Sequence, residues 1–155
     1  NVGEKGFHLN SLYNKMVVYN MYIFNRVGHC LYYREWKNSR TNDEEKQRLV
    51  YGSLYSINEL VSKMSWKNPK DGMLTIKTNV FTMHQFHTAS GLRFVLNTDN
   101  NSGDLRQNMY HIYASIWVEC VSKSPMWSPQ SSKPVDSPLF DRQLSAYLEG
   151  LSCFR

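Results

Sequence analysis

Apolar positions follow two rhythms along this chain, and the first appears at once. Residues 17–24 read Val-Val-Tyr-Asn-Met-Tyr-Ile-Phe, apolar at nearly every position and rich in β-branched and aromatic side chains. Alternate side chains of a strand point to opposite sides of a sheet, so a run without polar alternation suits a strand buried on both faces. Asn25-Arg26-Val27-Gly28 follows with turn chemistry, because Asn and Gly tolerate the positive φ of a tight hairpin. Residues 29–36 then return at strand length. The pattern predicts an opening hairpin whose first strand lies away from the sheet edge, which requires helices on both faces of the sheet.

The second rhythm is helical. Thr41-Asn-Asp-Glu44 matches the capping-box pattern, and Val50, Leu54, Ile57, Val61 and Met64 recur at spacings of four and three. This predicts a helix over 42–64, widened by Leu60 and locally weakened by Gly52, which costs about 1 kcal/mol relative to Ala. Asn68-Pro69-Lys-Asp-Gly72 ends it. Three strands are predicted next, over 73–78, 81–88 and 92–98, joined by short turns into a meander. Asp104 is placed to cap a further helix whose apolar face carries Leu105, Met109, Ile112, Ile116 and Cys120, joined by Tyr113 and Trp117. Residues 124–136 are Pro- and Ser-rich and read as a linker. Ser137 as N-cap and Pro138 at the first helical position open a last helix, with Phe140, Leu144, Tyr147 and Leu151 facing inward. The order is strand–strand–helix–strand–strand–strand–helix–helix. That is an α+β plan with a five-stranded antiparallel sheet covered on both faces.

Composition narrows the class. At 155 residues with 41% hydrophobic and 20% charged positions, the chain reads as one globular domain over 16–155. Residues 1–15 lack an initiator Met, are polar and aperiodic, and read as a non-native or disordered extension ahead of that domain. No apolar run approaches the ~20 residues of a membrane span, and no signal-peptide pattern is read. The net charge of +5 is scattered, with its densest stretches at 34–40 and 63–70 interrupted by Trp and neutral residues. That is a solvated basic surface, not a nucleic-acid site, and no nucleic-acid-binding signature accompanies it. Cys30, Cys120 and Cys153 form no CxxC or close pair and read as reduced, packed thiols of a cytosolic protein.

Candidate chemistry is sparse. His84 and His87 lie three apart on a predicted strand, so their imidazoles point to opposite faces and cannot share a metal. No nucleophile elbow, phosphate loop or paired carboxylates occur. Asp43-Glu44-Glu45 complements a helix dipole, and Cys30 sits in an apolar strand. No catalytic residue, metal set or cofactor site is expected. Ten Tyr and four Trp remain, several of them off the clean stripes: Tyr51, Tyr55, Trp66 and Trp127. Such aromatics either cover core edges or form the apolar centre of a protein interface.

In order along the chain stand Tyr22-Ile-Phe-Asn-Arg26, Cys30-Leu-Tyr-Tyr-Arg-Glu-Trp36, Leu49-Val-Tyr-Gly52, Leu54-Tyr-Ser-Ile57 and Val61-Ser-Lys-Met-Ser65. His87-Thr-Ala-Ser-Gly91, Phe94-Val95, Asn97-Thr-Asp99, His111-Ile-Tyr113 and Val118-Glu119 continue the series. Taken together over 16–149, these segments resemble the small longin-type subunits of the transport protein particle (TRAPP), a multisubunit vesicle-tethering complex. The family commonly carries an acidic residue where Asn25 stands. The linker at 124–136 and the tail after Gly150 match it poorly, and residues 1–15 match nothing. The resemblance implies a longin (SNARE-like, profilin-like) fold. It also implies a place beside other TRAPP subunits, in a complex that acts as a guanine-nucleotide exchange factor for a Rab-type GTPase of endoplasmic reticulum-to-Golgi traffic. Such a subunit is cytoplasmic, peripheral to cis-Golgi and endoplasmic reticulum membranes through the complex only. Exchange of this kind needs no covalent chemistry, only tighter binding to the nucleotide-free GTPase. Related longin exchange factors pair through the long helix and an adjacent central strand. By position that implicates Tyr51, Tyr55, Met73, Thr75 and Lys77 in contact with a second longin-type subunit.

Two other readings follow from the same residues. One is a longin or adaptor-type trafficking module that binds SNARE or coat proteins without exchange activity. The other is a basic RNA- or phospholipid-binding domain, which steep salt dependence of binding would reveal.

Overall fold

The most apolar run becomes the middle of the sheet. The computed structural model describes residues 16–36, 72–77, 79 and 81–151. Strands β1 (Val18–Phe24), β2 (Cys30–Glu35), β3 (Met73–Lys77), β4 (Thr82–His87) and β5 (Arg93–Thr98) form one antiparallel sheet in the order β2-β1-β5-β4-β3. β1 lies between β2 and β5, with Met21 and Ile23 buried on one face and Tyr22 and Phe24 on the other. The predicted hairpin, the meander β3–β4–β5 and the antiparallel plan all form. The predicted helix over 42–64 lies outside the described residues, as do Tyr51, Tyr55 and residues 1–15.

β3 is an edge strand, not the central strand that the resemblance implied. Its burial explains the placement: Met73 is buried, but Thr75 and Lys77 are exposed, so it cannot be enclosed on both sides as β1 is. β4 lies one strand further in and is buried from Thr82 to Phe86.

One sheet face carries the two described helices. Helix α1 (Arg106–His111) runs on into a π-helical stretch (Ile112–Ser122), and α2 (Pro138–Glu149) packs beside it. The N-cap position falls on Leu105, which has no side-chain cap, one residue after the predicted Asp104; Asp104 Oδ1 still accepts from the Arg106 N–H at 3.0 Å. The wider i→i+5 turn changes which side chains face in. Ile112, Ile116, Trp117 and Val121 are buried, while Cys120, expected inward from a 3.6-residue period, is only half-buried.

Ser137 caps α2, its hydroxyl oxygen accepting from the Phe140 N–H at 3.2 Å, with Pro138 at the first helical position. Phe140, Leu144 and Leu148 are buried. The Phe140 ring meets Trp117 and Tyr32 edge-on at 5.4 and 4.8 Å between centroids, which locks the helix layer onto the sheet. On the opposite face Tyr22, Phe24, Met83 and Val95 form a second buried cluster, with Tyr33, Ile76 and Phe81 at its margin.

Candidate interaction surface

The two sheet edges differ in how they are closed. At the β2 edge the Val135 N–H donates to Leu31 O at 2.6 Å, so the linker takes up one edge carbonyl. Asp141 of α2 accepts from the Tyr32 hydroxyl and pairs with Arg34 at 3.2 Å, and the Arg34 guanidinium lies 5.5 Å from the Trp36 ring centroid. Burial, then the Asp141 carboxylate, pushes the Tyr32 hydroxyl well above the usual tyrosine range. This edge is held by its own chain. At the other edge β4 is the sole strand partner of β3 among the described residues.

An edge strand presents outward N–H and C=O groups that a strand of a partner chain can pair with. By register Met73, Thr75 and Lys77 share a face with Phe86, His84 and Thr82, while Leu74 and Ile76 point to the opposite face. Met73 is 6% exposed and belongs to the chain's own core, so Thr75 and Lys77 are the outward positions of the predicted set. Beside them lies an apolar groove of about 410 Å³, lined by Met73, Phe86, Arg106, Gln107 and Tyr110. Tyr110 is 58% exposed, its ring edge-on to Phe86 at 6.3 Å. An exposed tyrosine against a buried phenylalanine, beside an arginine and an edge strand with no second strand partner among the described residues, has the composition of an interface centre.

Arg106, Gln107 and Tyr110 were not among the expected contact residues. The signal available was Tyr110 standing off the stripe of Leu105, Met109 and Ile112. What the sequence cannot supply is that the first turn of α1 lies alongside the β3 edge.

The histidines and the half-buried thiol are engaged structurally. His84 and His87 lie on opposite faces, as strand alternation predicted. His84 is buried, with Nε2 3.0 Å from Thr98 Oγ1 and 3.1 Å from Ser102 Oγ, and burial lowers it to about 4 against a weaker opposing effect of Asp104. Burial, then Arg93, lowers His87. Burial pushes the Cys30 thiol up to about 11, and its Sγ–H donates to Tyr32 O, so it is a packed thiol and not an activated nucleophile. Among the described residues no three His, Cys, Asp or Glu side chains group to hold a metal ion.

Asn25 ends β1 and organises the hairpin tip. Its Oδ1 accepts from the N–H groups of Val27, Gly28 and His29 at 3.0, 2.9 and 2.9 Å, and Gly28 has φ +100°. An acidic side chain could accept the same bonds. Asn25 Nδ2 also donates to Ser131 O at 3.4 Å, a contact a carboxylate cannot make, and this ties the linker to the tip.

The sequence over residues 18–151 matches the Sybindin-like family. The chain is 39% identical over 142 residues to trafficking protein particle complex subunit 1 of Homo sapiens, covering 90% of this chain and 97% of the relative. It is 33% identical over 119 residues to trafficking protein particle complex subunit BET5 of Saccharomyces cerevisiae, covering 70% and 74%. Subunit 4 of the same complex from Dictyostelium discoideum is 23% identical over 134 residues, covering 86% and 97%. With its five-stranded antiparallel sheet, its helical layer and a family match from β1 to the end of α2, the chain belongs to the Sybindin-like family.

Proposed function

We propose that this chain is a non-catalytic subunit of the trafficking protein particle complex. In this reading it supplies part of a composite surface that promotes guanine-nucleotide exchange on a Rab-type GTPase of endoplasmic reticulum-to-Golgi traffic. The observation that carries the reading is the near end-to-end match to subunit 1 of that complex. The chemistry is consistent with it: the β3 edge strand and its groove offer binding, and exchange requires only binding energy spent differentially on the nucleotide-free GTPase.

Within the complex, the β3 edge and the Tyr110 groove receive a second longin-type subunit, with Tyr51 and Tyr55 of the sequence-predicted helix completing the contact. The likeness to a subunit 4 supports pairing of two chains of similar build. Lys77 on the edge deters indiscriminate strand addition and favours a partner strand with an acidic side chain opposite it. Among the described residues no helix is long and apolar enough to cross a membrane, so attachment to cis-Golgi and endoplasmic reticulum membranes is assigned to the assembled complex.

The test is GDP release measured with labelled nucleotide on candidate Rab GTPases. The chain alone is expected to leave the rate at its intrinsic value, and the reconstituted complex to raise it only when the chain is present. Robust release by the purified chain alone, or full activity of a complex lacking it, would overturn the proposal. The double variant Tyr51→Ala, Tyr55→Ala should stay folded by circular dichroism yet lose co-purification with the second longin-type subunit. Undiminished co-purification removes those residues from the interface.

A further inference from the structure

Residues 124–131 read Ser-Pro-Met-Trp-Ser-Pro-Gln-Ser and fold as two successive turns of one design. The Trp127 N–H donates to Ser124 O at 3.1 Å, and the Ser131 N–H to Ser128 O at 2.9 Å. In each turn the serine hydroxyl oxygen also accepts from the amide two residues on, at 3.4 Å from Met126 N and from Gln130 N. Ser at the first and Pro at the second position suit such turns, so turn chemistry explains the repeated pattern.

Surroundings then separate the serines. Ser124 is half-buried and its turn ends on Trp127, which packs edge-on against Trp117 at 5.9 Å. Ser137, before Pro138, is engaged as the α2 cap. Ser128, Pro129 and Gln130 are all exposed, and the Ser128 hydroxyl donates only to the side-chain Oε1 of Gln130 at 2.8 Å. The turn is moored on both sides, by the Trp127 packing and by Asn25 Nδ2 on Ser131 O. Of three Ser-Pro steps, this is the one whose hydroxyl stands in solvent with its proline accessible beside it.

We propose that Ser128 is a phosphorylation site for a proline-directed protein kinase. Pro129 has a fixed φ and no N–H, the features such a kinase selects in the residue after its target. In the transfer the Ser128 Oγ attacks the γ-phosphorus of magnesium ATP. The new O–P bond forms as the bond to the β,γ-bridging oxygen breaks, ADP leaves with that electron pair, and the hydroxyl proton passes to the kinase's catalytic base. The product carries about 1.5 to 2 negative charges on the turn. The Gln130 N–H remains in place as a donor, and exposed Lys133 supplies a cation on the same loop. The modification sets this charge two residues from Met126, an apolar side chain that is 94% exposed.

The folded full chain, incubated with a purified proline-directed kinase and magnesium ATP, is mapped by phosphopeptide mass spectrometry. Phosphate is expected at Ser128, with Ser124 and Ser137 modified at least about tenfold more slowly. Ser128→Ala should abolish the dominant site. Pro129→Ala, which keeps the hydroxyl, should lose it as well. Heat-unfolded chain should lose the preference among the three serines, since the fold creates it. The proposal is overturned by no incorporation into the folded chain, by equal or faster labelling of Ser124 or Ser137, or by a Pro129→Ala chain labelled like the parent.

Discussion

His84 gives the fold a specific acid sensitivity. Its ring is 3% exposed, and Nε2 faces two hydroxyls already committed as donors, Thr98 to Asp99 O at 2.9 Å and Ser102 to Gly103 O at 3.4 Å. Both hydroxyls lie within hydrogen-bond distance of Nε2, so the neutral ring is already partnered in its buried site. Burial takes the group from 6.5 to about 4, a fall of about 2.5. On acidification the unfolded chain takes up this proton first. The stability held by the neutral ring is thus complete above pH 6.5 and is lost as pH falls toward 4. At 1.36 kcal/mol per unit the loss reaches about 3 kcal/mol at pH 4. Urea unfolding of the parent chain and of His84→Gln, at pH 7 and pH 4, measures it. The variant keeps a donor near Thr98 and Ser102 but does not titrate, so its loss between the two pH values should be smaller by about 3 kcal/mol. Equal losses in the two proteins would refute the assignment.

Other substitutions test the framework. Asn25→Ala removes the acceptor shared by three amides and the tie to Ser131, and should cost about 1–2 kcal/mol in urea unfolding. Asn25→Asp, which keeps the acceptor but not the tie, should cost less, and equal losses in the two variants would show that the Ser131 tie dominates. Phe140→Ala leaves a void among Trp117, Tyr32 and the sheet and should cost about 3–5 kcal/mol in the same assay. A loss below 1 kcal/mol would mean that α2 repacks without its anchor.

What the sequence made legible was what local chemistry dictates. The apolar run of β1 required cover on both faces, and it lies between β2 and β5. Ser137-Pro138 announced the start of α2, and the opposite facing of His84 and His87 followed from strand alternation alone. Two features needed the third dimension. A 3.6-residue period placed Cys120 inward, but the π-helical turn after Ile112 brings Val121 there, and no composition rule signals that change in winding. Strand order is likewise not local. The alternation of polar and apolar residues in 73–77 was visible, but its location at the end of the described strand order depends on β1 entering between β2 and β5. The groove under Tyr110 follows from that placement, which is why the sequence alone does not single out Arg106 and Gln107.

The proposed pairing surface is tested most directly by amide hydrogen exchange of the chain, alone and bound to the second longin-type subunit of its complex. Exchange slowed on binding over Met73–Lys77 and at Tyr110, with Cys30–Glu35 unchanged, is the expected result. Protection at β2 with β3 exchanging as in the free chain would contradict the assignment of the β3 edge as the site of assembly.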